Sequence, residues 1–199
     1  MSVTVIDYDR SMARWEPDAA GRLRRAAVEL FAERGVESTT VAAIAERAGV
    51  TERTFFRYFT DKREVLFSDQ GQFASGFVIG VETAPAGASP LDAVADGLRK
   101  GIGFFAPENR QGARVRASVI TANPGLQERE LLKMAGVSDA MAAALRARGV
   151  TEPAATIAAW AGIAVLGAAF AAWLDEAETR ELPELVEEGI RELRALGLA

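Results

Sequence analysis

The 199-residue sequence contains neither cysteine nor histidine. Without cysteine there is no disulfide frame, no thiolate nucleophile and no iron–sulfur cluster. Without histidine there is no Ser-His-Asp triad, no imidazole base and no imidazole metal ligand. Catalysis would have to rest on carboxylates, lysine, tyrosine or a cofactor. No glycine-rich phosphate loop and no metal-ligand spacing is present, and the nearest carboxylate pair, Glu128 and Glu130, stands two apart and so points to different faces of a helix. The residues therefore argue against an enzyme and call for no cofactor or metal. Charge is also missing from one long stretch, Pro153 to Leu174, where 22 residues carry none. That length can cross a bilayer. Ten of the 22 are alanine, however, and the flanks Glu152, Asp175 and Glu176 are acidic, with no basic residue to set an orientation. The expectation is a core helix buried on both faces, not a membrane span. The first fifteen residues lack an apolar segment and include Asp7 and Asp9, so they do not read as a secretory signal, and the protein is expected in the cytoplasm.

What is present is helical punctuation. Hydrophobic residues make up 49% of the chain, enough to build a core and to argue against disorder. A first amphipathic segment covers about 19–34, with Leu23, Ala27, Leu30 and Phe31 on one face and Gly35 as its stop. Thr40 caps a segment over 41–48, Gly49-Val50 turns, and Thr51 caps another over 52–58. A fourth segment is expected from about Asp61 towards Glu82. Ser89, Pro90 and Asp92 open a fifth, over 90–106. Further helices are predicted at 108–121, 124–148, 153–174 and 181–197. No stretch alternates as a strand does, so the expected class is all-α with about nine helices.

The block from Thr39 to Phe67 has the form of a helix-turn-helix. Val41, Ile44 and Ala45 give the first helix an apolar face, Ala48 allows a close crossing, Gly49 makes the turn and Val50 fills the corner. The second helix opens with Thr51, Glu52, Arg53 and Thr54, polar side chains that suit a helix end entering a major groove. Arg53 is the first choice for reading a base, because arginine can bridge guanine O6 and N7. Thr40, Tyr58 and Lys62 are placed to hold phosphates. Phe55 and Phe59 share a face and are expected in the core, whereas Phe56, Arg57 and Tyr58 point elsewhere.

The run from Arg22 to Phe67, including AAVELFAERG, Thr39-Thr40, Ile44-Ala45, Ala48-Gly49-Val50, Tyr58-Phe59 and Lys62, resembles the DNA-binding domain of TetR-type transcriptional regulators. The resemblance implies a three-helix head that binds operator DNA and a larger helical body that binds a small molecule and a second copy of the chain. It divides the sequence into an N-terminal arm (1–18), a head (19–67) and a body (68–199). Where the family often carries tyrosine, this chain has Phe56, so contact there must be apolar. The segment RVRASVITANPGLQERELL resembles a subgroup that includes mycofactocin-system regulators, some of which respond to acyl-CoA thioesters. By this reading Ile157, Val165, Ala169 and Trp173 join Leu185, Leu193 and Leu196 in a homodimer interface. Phe104, Phe105, Val119, Leu126, Met134, Met141 and Trp160 are candidates for an apolar effector pocket, with Arg114, Arg116 and Glu130 to orient a polar group.

The formal net charge of −5 at first argues against nucleic acid. Its distribution does not. Residues 1–67 carry 11 basic and 11 acidic side chains, while 68–199 carry 12 and 17. The net acidity lies wholly outside the helix-turn-helix part.

Overall fold

The computed structural model describes residues 18–67, 70–105 and 107–197. The expected arm over 1–18, with Arg10 and Arg14, lies outside them apart from Asp18. Among the described residues the chain forms nine α-helices and no strand. They are α1 (Ala19–Arg34), α2 (Val41–Arg47), α3 (Glu52–Tyr58), α4 (Gln70–Thr83), α5 (Pro90–Gly101), α6 (Arg110–Thr121), α7 (Pro124–Ala147), α8 (Ala154–Leu174) and α9 (Leu182–Ala195).

Local chemistry sets most boundaries. The hydroxyls of Thr40, Thr51 and Ser89 accept from the backbone N–H groups of Ala43, Thr54 and Asp92, satisfying donors that helix starts leave open. One start differs from expectation. Asp61 does not open α4; its carboxylate Oδ1 accepts from the N–H groups of Arg63 and Glu64, and the chain makes a tight 3-10 turn over Glu64–Leu66 before α4 begins at Gln70. The fifth helix likewise ends at Gly101 and continues as a 3-10 turn through Phe104.

Two apolar clusters hold the molecule together. The first joins Leu23, Leu30 and Phe31 of α1 to Ile44, Phe55, Phe59 and Val65. It extends to Val119, Ile120 and Leu126 at the corner between α6 and α7, so part of the body's sequence completes the core of the head. The second cluster gathers α4, α5, α7, α8 and α9 around Phe77, Leu98, Met141, Leu145, Leu166 and Trp173. Burial on this scale supplies about 1.5–3 kcal/mol for each large apolar side chain.

The crossing of α4 and α5 runs glycine against glycine. A methyl group on Gly76 would stand 3.1 Å from the Gly101 Cα, and one on Gly80 only 2.6 Å from the Gly97 Cα. These helices therefore approach backbone to backbone.

Helix α8 is long and apolar enough to cross a membrane by length and composition. Its inner face, including Ala155, Ala159, Val165, Leu166 and Trp173, is packed into the second cluster, as in the core helix of a globular body. The expectation of burial on both faces is corrected. Ile157 is 62% exposed and Trp160 46%, and with Ala164, Gly167, Ala168 and Ala171 they form an uncharged outer stripe. The large residues drift around the helix instead of keeping to one line, so the two faces are not equally covered.

Candidate nucleic-acid interface

The turn between α2 and α3 is built as its residue types require. Gly49 has φ +68°, a conformation that carries little penalty only for glycine. The N–H of Val50 reaches back to the Ala45 carbonyl at 2.9 Å. Arg22 on α1 donates through Nε to the Ala48 carbonyl at 3.1 Å, tying α1 to the corner. Beneath the turn, Thr39 is buried, and its hydroxyl lies 3.2 Å from the Leu30 carbonyl and 2.8 Å from that of Gly35.

Phe55 and Phe59 are buried with ring centroids 5.3 Å apart. That leaves the opposite face of α3 to solvent. Thr51, Glu52, Arg53, Phe56, Arg57 and Tyr58 are exposed there, with Thr54 half-buried, and Arg53, Thr54, Phe56 and Arg57 line an open depression. Phe56 is 56% exposed, a large apolar side chain without cover. The Thr51 and Thr54 hydroxyls are 3.0 Å apart.

Charge separates this face from the rest of the head. Arg47 forms a two-pronged pair with Glu33, both contacts at 3.0 Å, and Arg63 pairs with Glu37 at 2.5 Å. These partners hold both carboxylates below the usual range. Among the described residues Arg53 makes no ion pair or hydrogen bond, and Arg57 donates only to the Tyr58 hydroxyl, at 3.1 Å, with its guanidinium over that ring. The cations of α3 are thus left available, whereas Arg47 of α2 and Arg63 after α3 are neutralised.

Lys62 takes a different place from the one expected. Its ammonium donates to the carbonyls of Glu37 and Thr39 at 3.1 and 2.8 Å, closing the loop that leads into α2. Two of its three protons are committed inside the head, which makes it a structural tie before it is a phosphate contact.

Only part of the expected pocket set comes together. Val119 and Leu126 belong to the head's core, and Trp160 lies on the outer stripe of α8. Met141 is fully buried between α5 and α8. Arg114 is engaged with the carbonyls of Leu174 and Asp175 at the end of α8. Phe104 and Phe105 do meet, in an aromatic cluster with Phe73, Phe170 and Trp173, and Met134 packs against the second core. Arg116 and Glu130 also meet, at 2.7 Å. Sequence reasoning missed Lys133, whose ammonium lies 4.0 Å from Glu130 and over the Phe73 ring. A lone lysine amid the apolar residues Leu131, Leu132 and Met134 was the available signal. Within the body, a void of about 10 Å³ lies between α5, α8 and α9, lined by Val94, Gly162 and Val165 among others, room for no more than one water.

The expected dimer residues need the same correction. Val165, Ala169, Trp173 and Leu185 are buried within the protomer, and Leu193 is half-buried against the body core. Only Ile157 and Leu196 of that set stand well exposed, Leu196 at the far end of α9. The helical spacing selected the inner face of each helix, where the bulky side chains lie.

Known proteins match both parts of the chain. The family model described as bacterial regulatory proteins, tetR family, matches residues 23–68, and the one described as the MftR C-terminal domain matches residues 88–197. The HTH-type transcriptional regulator TcmR of Streptomyces glaucescens is 42% identical over 82 residues, covering 41% of this chain and 36% of that protein. An uncharacterized HTH-type transcriptional regulator of Mycobacterium tuberculosis is 40% identical over 58 residues, or 29% of this chain and 31% of the relative. The match thus spans about a third of the length of these curated relatives. The TetR-family regulator from Syntrophomonas wolfei superposes with a TM-score of 0.66 at 17% identity, covering 92% of this chain and 96% of its own. SmeT, the repressor of a multidrug efflux pump of Stenotrophomonas maltophilia, gives 0.58 at 21% identity, with 89% of each chain covered. At such identities the structures speak for the fold alone. With a helix-turn-helix matched at one end and a regulator's C-terminal domain over more than half of its length, the chain belongs to the TetR family of bacterial regulatory proteins.

Proposed function

We propose that this protein is a homodimeric, effector-responsive repressor that binds near-palindromic double-stranded operator DNA in the cytoplasm. The observation that carries this reading is the charge of Arg53 and Arg57 on the exposed face of α3, without a carboxylate partner among the described residues, whereas Arg47 and Arg63 beside them are paired with Glu33 and Glu37. Thr40, Thr51, Glu52, Thr54, Phe56 and Tyr58 surround them. Arg53 would read a guanine edge, Phe56 would meet a thymine methyl and the hydroxyls would set the register on phosphates. The unit 19–67 acts as the head and 68–199 as the body.

Two heads are needed, because recognition helices must enter successive major grooves about 34–36 Å apart. The uncharged outer stripe of α8 supports a second copy of the chain as the partner, since closely spaced Ala and Gly let two such helices approach and remove Ile157 and Trp160 from water. The effector is a small apolar or amphipathic molecule, an acyl-CoA-like thioester among them. Such an effector relieves repression only by favouring a state that fits DNA less well.

Fluorescence anisotropy with the DNA flanking its own gene tests this reading. Specific binding by the wild-type chain and its loss in Arg53→Ala are expected. Equal affinity for flanking and random DNA would refute it.

A further inference from the structure

A charge cluster joins α6, α7 and the end of the head. The Glu130 carboxylate lies between two cations, Arg116 at 2.7 Å and Lys133 at 4.0 Å. All three are largely covered, and the Lys133 side chain is only 12% exposed. Two positive groups thus share one negative group in a place where water screens poorly. The Lys133 ammonium stands 3.9 Å from the Phe73 ring centre, and Phe73 packs edge to face on Phe104 and Phe105. Phe104 is well exposed, so this aromatic wall reaches from the cations to solvent. Burial, with Arg116 adding repulsion and Glu130 opposing, pushes the Lys133 ammonium down to about 8.

We propose that Lys133 and Arg116 form the anion-binding end of the effector site, taking the single negative charge of an amphipathic monoanion whose apolar part lies against Phe104 and Phe105. This rests on the effector-responsive reading above and names the chemical class of the effector. An added carboxylate supplies the charge the cluster lacks, and Phe104 with the half-buried Phe105 supplies the apolar contact. The site also touches the head. Arg116 donates to the Leu66 carbonyl at 3.2 and 3.3 Å through two of its nitrogens, so an anion that draws this guanidinium towards itself competes with its hold on the segment that ends the head.

The test uses the full chain and two dyes of similar shape, the monoanion 8-anilinonaphthalene-1-sulfonate and the uncharged N-phenyl-1-naphthylamine, followed by fluorescence, with dodecanoate and dodecanol as competitors. Lys133→Gln is expected to weaken the anionic dye about tenfold and the neutral dye less than about twofold, the scale of one lost charge-assisted contact. Glu130→Gln should act in the opposite direction and tighten the anionic dye while moving the neutral dye less than about twofold, a selectivity that partial unfolding, which exposes apolar surface to both dyes, does not produce. Dodecanoate should displace the anionic dye where dodecanol does so weakly. Equal loss of both dyes in Lys133→Gln, or no loss of either, overturns the proposal. Operator titrations in parallel separate the two readings. Charge selectivity absent with operator binding intact overturns the anion site, whereas operator binding absent with charge selectivity intact overturns the repressor reading.

Discussion

Arg116 on α6 donates to the main-chain carbonyl of Leu66, at the end of the head, while holding the Glu130 carboxylate of α7 at 2.7 Å. One body side chain thus ties α6 and α7 to the end of the head, 50 residues back in the sequence, and its guanidinium also lies over the Phe67 ring. Arg116→Met keeps an unbranched apolar stem there but leaves the carbonyl unmet. A loss of about 1.5–3 kcal/mol is expected, the range for hydrogen bonds to charged groups, read from the urea midpoint at unchanged slope. A change within experimental error would show that the tie contributes nothing to stability.

Lys62 and Arg53 should separate cleanly. With its ammonium on the Glu37 and Thr39 carbonyls, Lys62→Ala is expected to lower head stability by about 1 kcal/mol or more. The salt dependence of DNA binding should barely move. Arg53→Ala should leave the unfolding midpoint in place and remove about 1–3 kcal/mol of sequence discrimination. Paired denaturation and salt-titration curves check both, and a salt slope flattened by Lys62→Ala would return that lysine to the phosphate backbone.

The outer stripe of α8 gives a solution-state prediction. Trp160→Glu sets a charge in the middle of an uncharged face while leaving the protomer core untouched, so light scattering should find a monomer where the wild type is a dimer. Trp173→Glu should instead unfold the protomer, because that ring is buried and its indole N–H donates to Glu181. A Trp160→Glu protein that remains dimeric would move the interface elsewhere.

Lys133 predicts an alkaline rise in stability. Its ammonium titrates near 8 in the folded chain against an ordinary value of 10.5, so between these values the unfolded chain binds more protons and stability increases with pH. The change is about 3 kcal/mol at most, at about 1.4 kcal/mol per unit of pKa. It is complete above pH 10.5 and absent below 8. With no histidine or cysteine in the chain, few other side chains titrate between pH 7 and 9. Thermal unfolding of the wild type and Lys133→Met across this window should diverge, the wild type gaining and the variant staying flat. Parallel curves would contradict the assignment.

These contrasts follow the reach of each interaction. Thr40, Thr51 and Ser89 could be read as caps because a cap bonds within three residues, and the helix-turn-helix was legible because Ala48, Gly49 and Val50 act on one corner. The periodicity of α8 marked its bulky side but not which side the protomer covers, since that depends on α7 and α9 packing against it. The Arg116, Glu130 and Lys133 cluster was half legible. The first two were singled out, but Lys133 acquires its meaning only where α7 meets Phe73 of α4.

The glycine contacts between α4 and α5 have a mechanical side. Helices that interlock through side chains move in steps, each requiring knobs to leave their holes. Here Gly76 faces Gly101 and Gly80 faces Gly97, and the Phe77 ring and Val81 of α4 occupy the places where side chains on Gly101 and Gly97 would stand, so each of these α5 glycines is a hole with a tooth of α4 already in it. Its setting along α5 is held by these teeth and, at its C-terminal end, by Arg148, which gathers the carbonyls of Glu82, Ala84 and Pro85. The helix nearest the head is thus keyed into its neighbour along its length, so α4 and α5 respond to the head as one block, and sliding α4 alone requires Phe77 and Val81 to leave the core.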